Sequence, residues 1–203
     1  MKQYSNQKLQ EINSSFALVY LKEEVLYAAV DNIRSFPLFS YQEKDTFYLS
    51  DSAEKILNQL KDFQIDHVNM TELLLTGYVT RTETIIKNLS QLPAGTYMVY
   101  DVTNNKLVID SYYRFKHVIP EVNNYSKEEL LEYLYHTYEE AFKRLIKTLD
   151  GKTAVVPLSG GYDSRCIVAM LKKLGYENVI CYSYGKENNH ESEISKKIAM
   201  SLG

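Results

Sequence analysis

This sequence has no tryptophan, only two cysteines and no long apolar run. The shortages of cysteine and of apolar runs each exclude classes of protein. The two cysteines, Cys166 and Cys181, form no C-x-x-C pair, so we expect reduced core thiols rather than a metal or redox site. No stretch reaches the ~18 apolar residues that a membrane-spanning helix needs. The first fifteen residues are polar and mixed in charge, which does not fit a targeting signal. We therefore expect a cytoplasmic protein that has no membrane partner.

Positive charge is also in short supply. The chain has 23 Lys and Arg against 26 Asp and Glu, a net charge of −3, and its basic residues are spread among acidic ones. This balance argues against nucleic acid as the main partner. Tyrosine is abundant, with 18 residues. Because tyrosines that alternate within strands are usually half-buried, we expect packing rather than a sugar- or nucleotide-binding surface.

The first part of the chain has the pattern of an antiparallel α+β fold. Short apolar runs alternate with charged turns, which is typical of strands joined as hairpins. The predicted strands cover residues 16–21, 25–30, 37–41, 46–50, 96–102 and 106–113. An antiparallel meander accommodates the first four, and Asn104-Asn105 tolerate the positive φ of the last hairpin. Helices are predicted behind a cap at Asp51 or Ser52 and from Thr71 through Leu75.

The second part alternates helices and strands, which predicts an α/β fold. Ser126 and Glu129 form a capping box for a long helix that Gly151 ends. Apolar runs at 153–158 and 179–184, each followed by a helix, predict parallel strands with a right-handed crossover. Two parallel strands cannot bury themselves, so we expect more chain to follow in preference to another subunit that completes the sheet.

A break in the apolar periodicity separates the two parts. Pro120 and Asn123-Asn124 fall between the last predicted hairpin and the capping box, and such residues favour turns and linkers. We therefore predict two domains, 1–118 and 119–203, with the second one incomplete in this chain. No internal repeat or low-complexity tract accompanies them.

The most specific stretch is Ser159-Gly160-Gly161-Tyr162-Asp163-Ser164, which follows an apolar strand and opens a helix with an apolar face. Free helical N–H groups and the positive end of the helix dipole point into such a turn, so it predicts an anion site. The glycines allow close approach, the serine hydroxyls add donors, and Asp163 is suited to a cation that bridges phosphate oxygens. We expect Asp163 or Ser164 to cap the helix and Gly175 to end it. The predicted ligand is a phosphate chain, and the alternative is a tight turn without a ligand.

The spacing differs from the G-x-x-x-x-G-K-[ST] phosphate loop and resembles the S-G-G-x-D-S pyrophosphate loop of the ATP pyrophosphatase superfamily. Three further segments make the chain similar to the asparagine synthetase B family, which joins a glutamine amidotransferase domain of the N-terminal-nucleophile type to an ATP pyrophosphatase domain. These segments are 30–39, 89–95 and 182–203. The resemblance implies an antiparallel N-terminal-nucleophile-hydrolase-like remnant, followed by the first β-α-β-α unit of a parallel-sheet ATP pyrophosphatase domain.

This resemblance implies a carbon–nitrogen ligase that uses ATP and Mg²⁺. A small carboxylate substrate would attack the α phosphate, pyrophosphate would leave, and an amine would capture the acyl-adenylate. The positions that match the family's ATP and pyrophosphate contacts are Leu158, Ser159, Gly160, Gly161, Asp163, Ser164 and Tyr184, with Asp163 also matching the metal position. Glu191 matches an acidic position of the second loop, or serves as a helix N-terminal charge. We expect His190 to cap a helix, and Arg165 to occupy a solvated helix position rather than touch phosphate.

Two departures concern the amidotransferase half. The family's first mature residue is a cysteine whose own α-amino group activates its thiol, whereas this chain begins with Met1 and has no thiol before Cys166. The family's glutamine-holding arginine and asparagine motifs also have no counterpart before Phe16. We therefore expect a glutaminase-dead scaffold in which Asp31 and Arg34 form a structural pair, with ammonia or another amine supplied from outside.

Three functions stay open at this point, and the first is preferred. It is an ATP-dependent amide-forming ligase of the asparagine synthetase type, or the N-terminal fragment of one that is inactive by itself. The second is a catalytically inactive remnant that binds a nucleotide or a partner. The third is another enzyme of the superfamily, such as one that modifies tRNA, and the low basic content argues against it. Whether the protein forms a homodimer is left open.

Overall fold

The structure of the chain, a computed structural model, describes residues 2–116, 124–186 and 189–203. It separates into two compact units, Met1–His117 and Val118–Gly203. The predicted boundary between residues 118 and 119, together with Pro120 and Asn123, lies outside the described residues. Each unit contains an apolar core of its own.

The first unit begins with a helix and continues as two antiparallel sheets. Its described helices are α1 (Lys2–Glu11), α2 (Ala53–Leu57) and α3 (His67–Thr76). Its described strands are β1 (Ala17–Lys22), β2 (Val25–Val30), β3 (Phe39–Glu43), β4 (Thr46–Ser50), β5 (Leu89–Gln91), β6 (Thr96–Asp101) and β7 (Lys106–Ser111). One sheet has the order β1-β2-β6-β7 and the other β4-β3-β5. The expectation of antiparallel sheets in this part of the chain is confirmed.

The predicted meander of the first four strands is wrong. β1 pairs with β2 and β3 pairs with β4, but the two hairpins belong to different sheets. Instead, β2 pairs with β6, which places Ala28 opposite Met98. Both residues are buried together with Leu38 and Leu92. The observed pairing therefore brings together apolar residues that are distant in sequence and removes their surface from water.

A buried carboxylate holds the corner after β2. The Asp31 carboxylate accepts hydrogen bonds from the N–H groups of Phe16 at 2.9 Å, Ile33 at 3.0 Å and Ser35 at 3.1 Å. Burial raises the pKa of Asp31, but these N–H donors outweigh it and hold the pKa below its ordinary value. The Arg34 guanidinium instead donates to the side-chain oxygen of Gln91, so the predicted pair of Asp31 and Arg34 is wrong. Asp31 therefore serves as an acceptor for three backbone N–H groups, and the bond from Phe16 is buried.

The two other helix starts of the first unit differ in how well the sequence shows them. Ser52 caps α2 as predicted, and its side chain accepts an N–H of the first turn at 3.4 Å. α3 begins at His67, earlier than the predicted start at Thr71. The reason is that the Asp66 carboxylate accepts two N–H groups of the first turn, at 3.0 and 3.1 Å.

The second unit combines a parallel strand pair with helices. Its described elements are α4 (Lys127–Leu149), β8 (Ala154–Pro157), α5 (Tyr162–Lys173), β9 (Val179–Tyr182) and α6 (His190–Leu202). The capping box of Ser126 and Glu129 is confirmed, and so is the parallel pairing of β8 with β9. Within the described residues of the whole chain, no helix has both the length and the apolar character needed to cross a membrane.

One face of the strand pair carries the core of the second unit. Val156 and Leu158 lie in a buried cluster with Phe142 of α4 and Leu171 of α5. Side chains alternate between the faces of a strand, so Val155 points to the opposite face, where it is 60% exposed. The buried face thus fixes the end of β8, from which the glycine loop continues.

Candidate functional site

The glycine loop starts from a firmly held residue. Leu158, directly after β8, has a buried side chain, and its N–H donates to the Tyr182 carbonyl at 2.8 Å. Its carbonyl accepts the hydroxyl of Ser195, a buried residue of α6, at 2.6 Å. Both backbone groups of Leu158 are therefore bonded within the protein. Its predicted contact with a nucleoside stays a prediction, and would need the second lone pair of the carbonyl oxygen.

Neither of the predicted residues caps α5. Gly161 occupies the N-cap position and has no side chain to offer, whereas Asp163 and Ser164 lie inside the first turn. The Ser164 hydroxyl oxygen instead accepts the N–H of Ser159 at 3.0 Å and lies 3.0 Å from the Ser159 hydroxyl oxygen. This prediction is wrong because a capping side chain must precede the helix, and α5 begins at Tyr162.

The two serine hydroxyls tie the loop together. The Ser159 hydroxyl oxygen accepts the N–H of Gly161 at 3.2 Å, in addition to its contact with Ser164. The Ser164 hydroxyl also lies 3.4 Å from the Ser159 carbonyl and can donate to it, so both hydroxyl protons have acceptors within the loop. The N–H groups of Gly160, Tyr162 and Asp163 donate to no acceptor among the described residues. The loop therefore offers several backbone donors at the positive end of a 12-residue helix.

Arg165 folds back onto the loop, so its predicted solvated position is wrong. Its guanidinium donates to the Gly160 carbonyl at 3.0 Å, and its central carbon lies 5.1 Å from the centre of the Tyr162 ring. The Nε atom is buried and finds no hydrogen-bond partner within the described residues. A positive charge is thereby held beside the glycine turn, which favours an anion there.

The fold by itself does not require glycine at either position of the loop. Neither Gly160 nor Gly161 has a positive φ. A Cβ at Gly160 would meet Ile194 of α6 at 3.5 Å, an ordinary contact, and one at Gly161 would lie 3.3 Å from the Ser159 hydroxyl oxygen. Gly95 is different, since it combines a φ of +64° with only 2.6 Å to a backbone oxygen. A turn without a ligand would therefore not need two glycines.

The second loop brings an exposed tyrosine ring to the end of β9. Tyr184 is 82% exposed and its ring stacks on Tyr182 at 6.5 Å between centres. Asn189 caps α6 by accepting the Ser192 N–H at 2.8 Å, so the predicted cap at His190 is wrong. Glu191 lies exposed in the first turn of α6. Its place fits a helix N-terminal charge, and a role toward a ligand stays a prediction.

A protein-built metal centre is not seen in the described part of the chain, where no three His, Cys, Asp or Glu side chains cluster as metal ligands. Asp163, in the first turn of α5, places an exposed carboxylate beside the loop. One carboxylate suffices for Mg²⁺ when phosphate oxygens and water fill the remaining positions. Asp163 thus fits a magnesium ion that arrives with a nucleotide, and this assignment also stays a prediction.

An antiparallel two-sheet unit, followed by a strand, a glycine turn and a helix with free N-terminal amides, defines a two-part protein whose glycine loop is suited to an anion. The family model described as "Glutamine amidotransferase domain" matches residues 1–113 of 203, so the chain belongs to this family. The model described as "Queuosine biosynthesis protein QueC" matches residues 153–203, which include the loop. QueC is a member of the ATP pyrophosphatase family, so the superfamily resemblance of the loop is supported.

Curated relatives match only a short part of the chain. The chain is 42% identical over 53 residues to the 7-cyano-7-deazaguanine synthase of Ralstonia nicotianae, which is 26% of this chain and 24% of that protein. It is 36% identical over 64 residues to the 7-cyano-7-deazaguanine synthase of Polynucleobacter asymbioticus, 31% of this chain and 26% of that protein. The chain thus spans about a quarter of the length of the curated relatives it matches.

Proposed function

We propose that this chain is an ATP-dependent amide-forming ligase of the asparagine synthetase type, or the N-terminal part of one. The observation that carries the proposal is the set of free N–H groups of Gly160, Tyr162 and Asp163 at the start of α5. These groups suit the β and γ phosphates of ATP, because the helix dipole and the Arg165 charge also favour negative charge there. The match to an ATP pyrophosphatase family member covers the same segment.

In this proposal the chain's residues grip pyrophosphate while a substrate carboxylate oxygen attacks the α phosphorus. The bond from the α phosphorus to the bridging oxygen breaks, pyrophosphate leaves, and an acyl-adenylate remains. An amine then attacks the acyl carbon, and AMP leaves. The free amides would stabilise the charge that develops on the departing pyrophosphate. Asp163 would hold Mg²⁺ against the same oxygens.

The amine would come from outside the amidotransferase-like unit. That unit contains no cysteine, and the first thiol of the chain, Cys166, lies in α5. Burial raises the pKa of the other thiol, Cys181. Neither position provides an N-terminal thiolate nucleophile. Ammonia or another amine supplied from outside is therefore the expected nitrogen donor.

Pyrophosphate release from ATP by the full-length protein tests the proposal, with candidate small carboxylates and ammonium supplied. Asp163→Asn should lower turnover on the order of 10²-fold, as the loss of one preorganised charge-stabilising group does. Asp150→Asn is the matched control: Asp150 is the C-cap of α4, with a φ of +48° that asparagine also tolerates. Wild-type turnover in the Asp163 variant would refute the ligase.

A nucleotide-binding remnant is the second candidate, favoured by the absence of a thiol from the first unit. It predicts that ATP binds in equilibrium dialysis while no pyrophosphate is released with any carboxylate. A third candidate is a synthase of the kind named for the relatives, 7-cyano-7-deazaguanine synthase, and the identity over 53 residues favours it. Formation of that compound in a product assay would distinguish it from amino acid amidation.

A further inference from the structure

The peptide unit between Gly160 and Gly161 is held from both of its ends. Its carbonyl, on Gly160, accepts the Arg165 guanidinium at 3.0 Å. Its N–H, on Gly161, donates to the Ser159 hydroxyl at 3.2 Å. The C=O and N–H of a trans peptide point in opposite directions, so these two bonds together determine the orientation of the whole plane. The preceding plane, which carries the Gly160 N–H, has a contact of its own, since its carbonyl, on Ser159, accepts the Ser164 hydroxyl at 3.4 Å.

Two adjacent glycines would otherwise be the most mobile part of the site. Glycine loses more backbone freedom on ordering than any other residue, so a ligand that ordered the pair would lose affinity. Arg165 is itself restrained, because its guanidinium lies over the Tyr162 ring and its Nε is enclosed. A planar guanidinium held in this way loses little further freedom when it bonds a carbonyl.

We propose that Arg165 is a positioning residue that preorganises the glycine loop for a polyphosphate, acting through the Gly160 carbonyl rather than by contact with the ligand. This inference rests on the proposed function. The carbonyl of Gly160 would repel a phosphate if the peptide turned over, and Arg165 prevents that turn by bonding it. Preorganisation lowers the cost of binding without adding a contact.

Binding of inorganic pyrophosphate with Mg²⁺, measured by titration calorimetry, tests the inference in the full chain. Arg165→Met should weaken binding about tenfold by loss of preorganisation. Arg165→Lys keeps the charge but loses the planar fork and the stacking, so it should still be several-fold weaker. Lys196→Met is the control, because Lys196 is exposed on α6 and lies about 200° around that helix from Ile194, which faces the loop.

Two readouts separate positioning from a general structural loss. In the absence of any ligand, hydrogen exchange at the Gly161 amide should be faster in Arg165→Met than in the wild type, while amides of β8 are unchanged. Methylguanidinium should restore pyrophosphate binding to Arg165→Ala, whereas sodium chloride of the same ionic strength should not.

The possible results distinguish this inference from the proposed function. Suppose that the wild type binds pyrophosphate and that Arg165→Met or Arg165→Lys binds it with wild-type affinity. The positioning role is then overturned, and the ligase proposal stands. Unchanged hydrogen exchange at the Gly161 amide in Arg165→Met would likewise overturn the positioning role and leave the ligase proposal standing. If the wild type does not bind pyrophosphate, the ligase proposal falls, and the positioning role falls with it.

Discussion

Replacement of Gly161 by alanine separates a loop that binds phosphate from a loop that only turns the chain. Gly161 has a φ of −76°, which alanine adopts without strain. Alanine also restricts the unfolded chain, which contributes about 0.4–1 kcal/mol of stability. Against this, its Cβ would lie 3.3 Å from the Ser159 hydroxyl oxygen and strain the bond that this oxygen accepts, a bond worth about 0.5–1.5 kcal/mol. The free energy of unfolding should therefore change by less than about 1 kcal/mol.

Binding of a nucleotide should respond far more strongly to this change. A methyl group on the loop backbone keeps a phosphate oxygen from the neighbouring amides, and one lost hydrogen bond to a charged group costs about 1.5–3 kcal/mol. At 1.4 kcal/mol per decade, affinity for ATP should fall about 10- to 100-fold. Equilibrium dialysis with ATP and Mg²⁺ measures this effect, and urea unfolding measures the stability.

Gly175→Ala provides the opposite result as a control. Gly175 ends α5 with a φ of +74° and has open space around its Cβ position, so alanine there should cost about 1–2 kcal/mol through backbone strain alone. ATP binding to the folded protein should be unchanged. If Gly161→Ala bound ATP with wild-type affinity, or unfolded as easily as Gly175→Ala, the phosphate-binding role of the loop would be refuted.

Three further predictions concern buried polar groups. Asp31→Asn should destabilise the first unit by about 2–3 kcal/mol, because a charged acceptor of backbone N–H groups becomes neutral. The pKa of Asp31 in the folded protein lies below 3.8, so the wild type should lose this stability as the pH falls below 3.8. Equal urea midpoints above and below pH 3.8 would contradict this role of Asp31. Burial, followed by the Asp31 charge, raises the pKa of Tyr112 to about 12 from 10.0, so stability should fall as the pH rises between these values. Tyr112→Phe should reduce that dependence in urea titrations without abolishing it, because burial also raises the pKa of Tyr41. The variant should also lose about 1 kcal/mol at neutral pH with the hydrogen bond to Val30, and an alkaline loss as large as that of the wild type would exclude a contribution from Tyr112. Ser195→Ala should cost about 1 kcal/mol and speed hydrogen exchange in the loop by freeing the Leu158 carbonyl, and unchanged exchange would show that α6 does not restrain the loop.

Local patterns were predictable wherever neighbouring residues supply the interaction. The capping box of Ser126 and Glu129, the cap at Ser52 and the hairpin β6-β7 all rest on bonds between residues close in sequence. The strand, glycine turn and helix were also predictable, because the apolar period changes at the glycines. The wrong predictions concern helix starts that the apolar period does not show. Asp66 caps α3 although no apolar period begins there, and Asp163 was predicted as a cap although α5 begins before it.

The site itself was predictable only as far as its glycine motif. Arg165 looked like a solvated helix residue, since nothing in its neighbourhood in sequence shows that the guanidinium reaches back to Gly160. Ser195 was missed, and the signal available was a lone hydroxyl near Ile198 on the apolar side of α6. Arg165 contacts the loop from the first turn of α5, which follows it directly, and Ser195 contacts it from α6.

The sequence alone determined the antiparallel-then-parallel order of the chain and the location of its glycine loop, because hydrophobic period, caps and glycines act over a few residues. Only the tertiary structure decided that β2 pairs with β6 and that the Asp31 carboxylate accepts backbone N–H groups and does not pair with the Arg34 side chain. It also decided that Arg165 and Ser195 restrain the loop. These choices depend on which groups lose water together when distant segments pack, and a buried polar group must then find its partner wherever the fold has placed one.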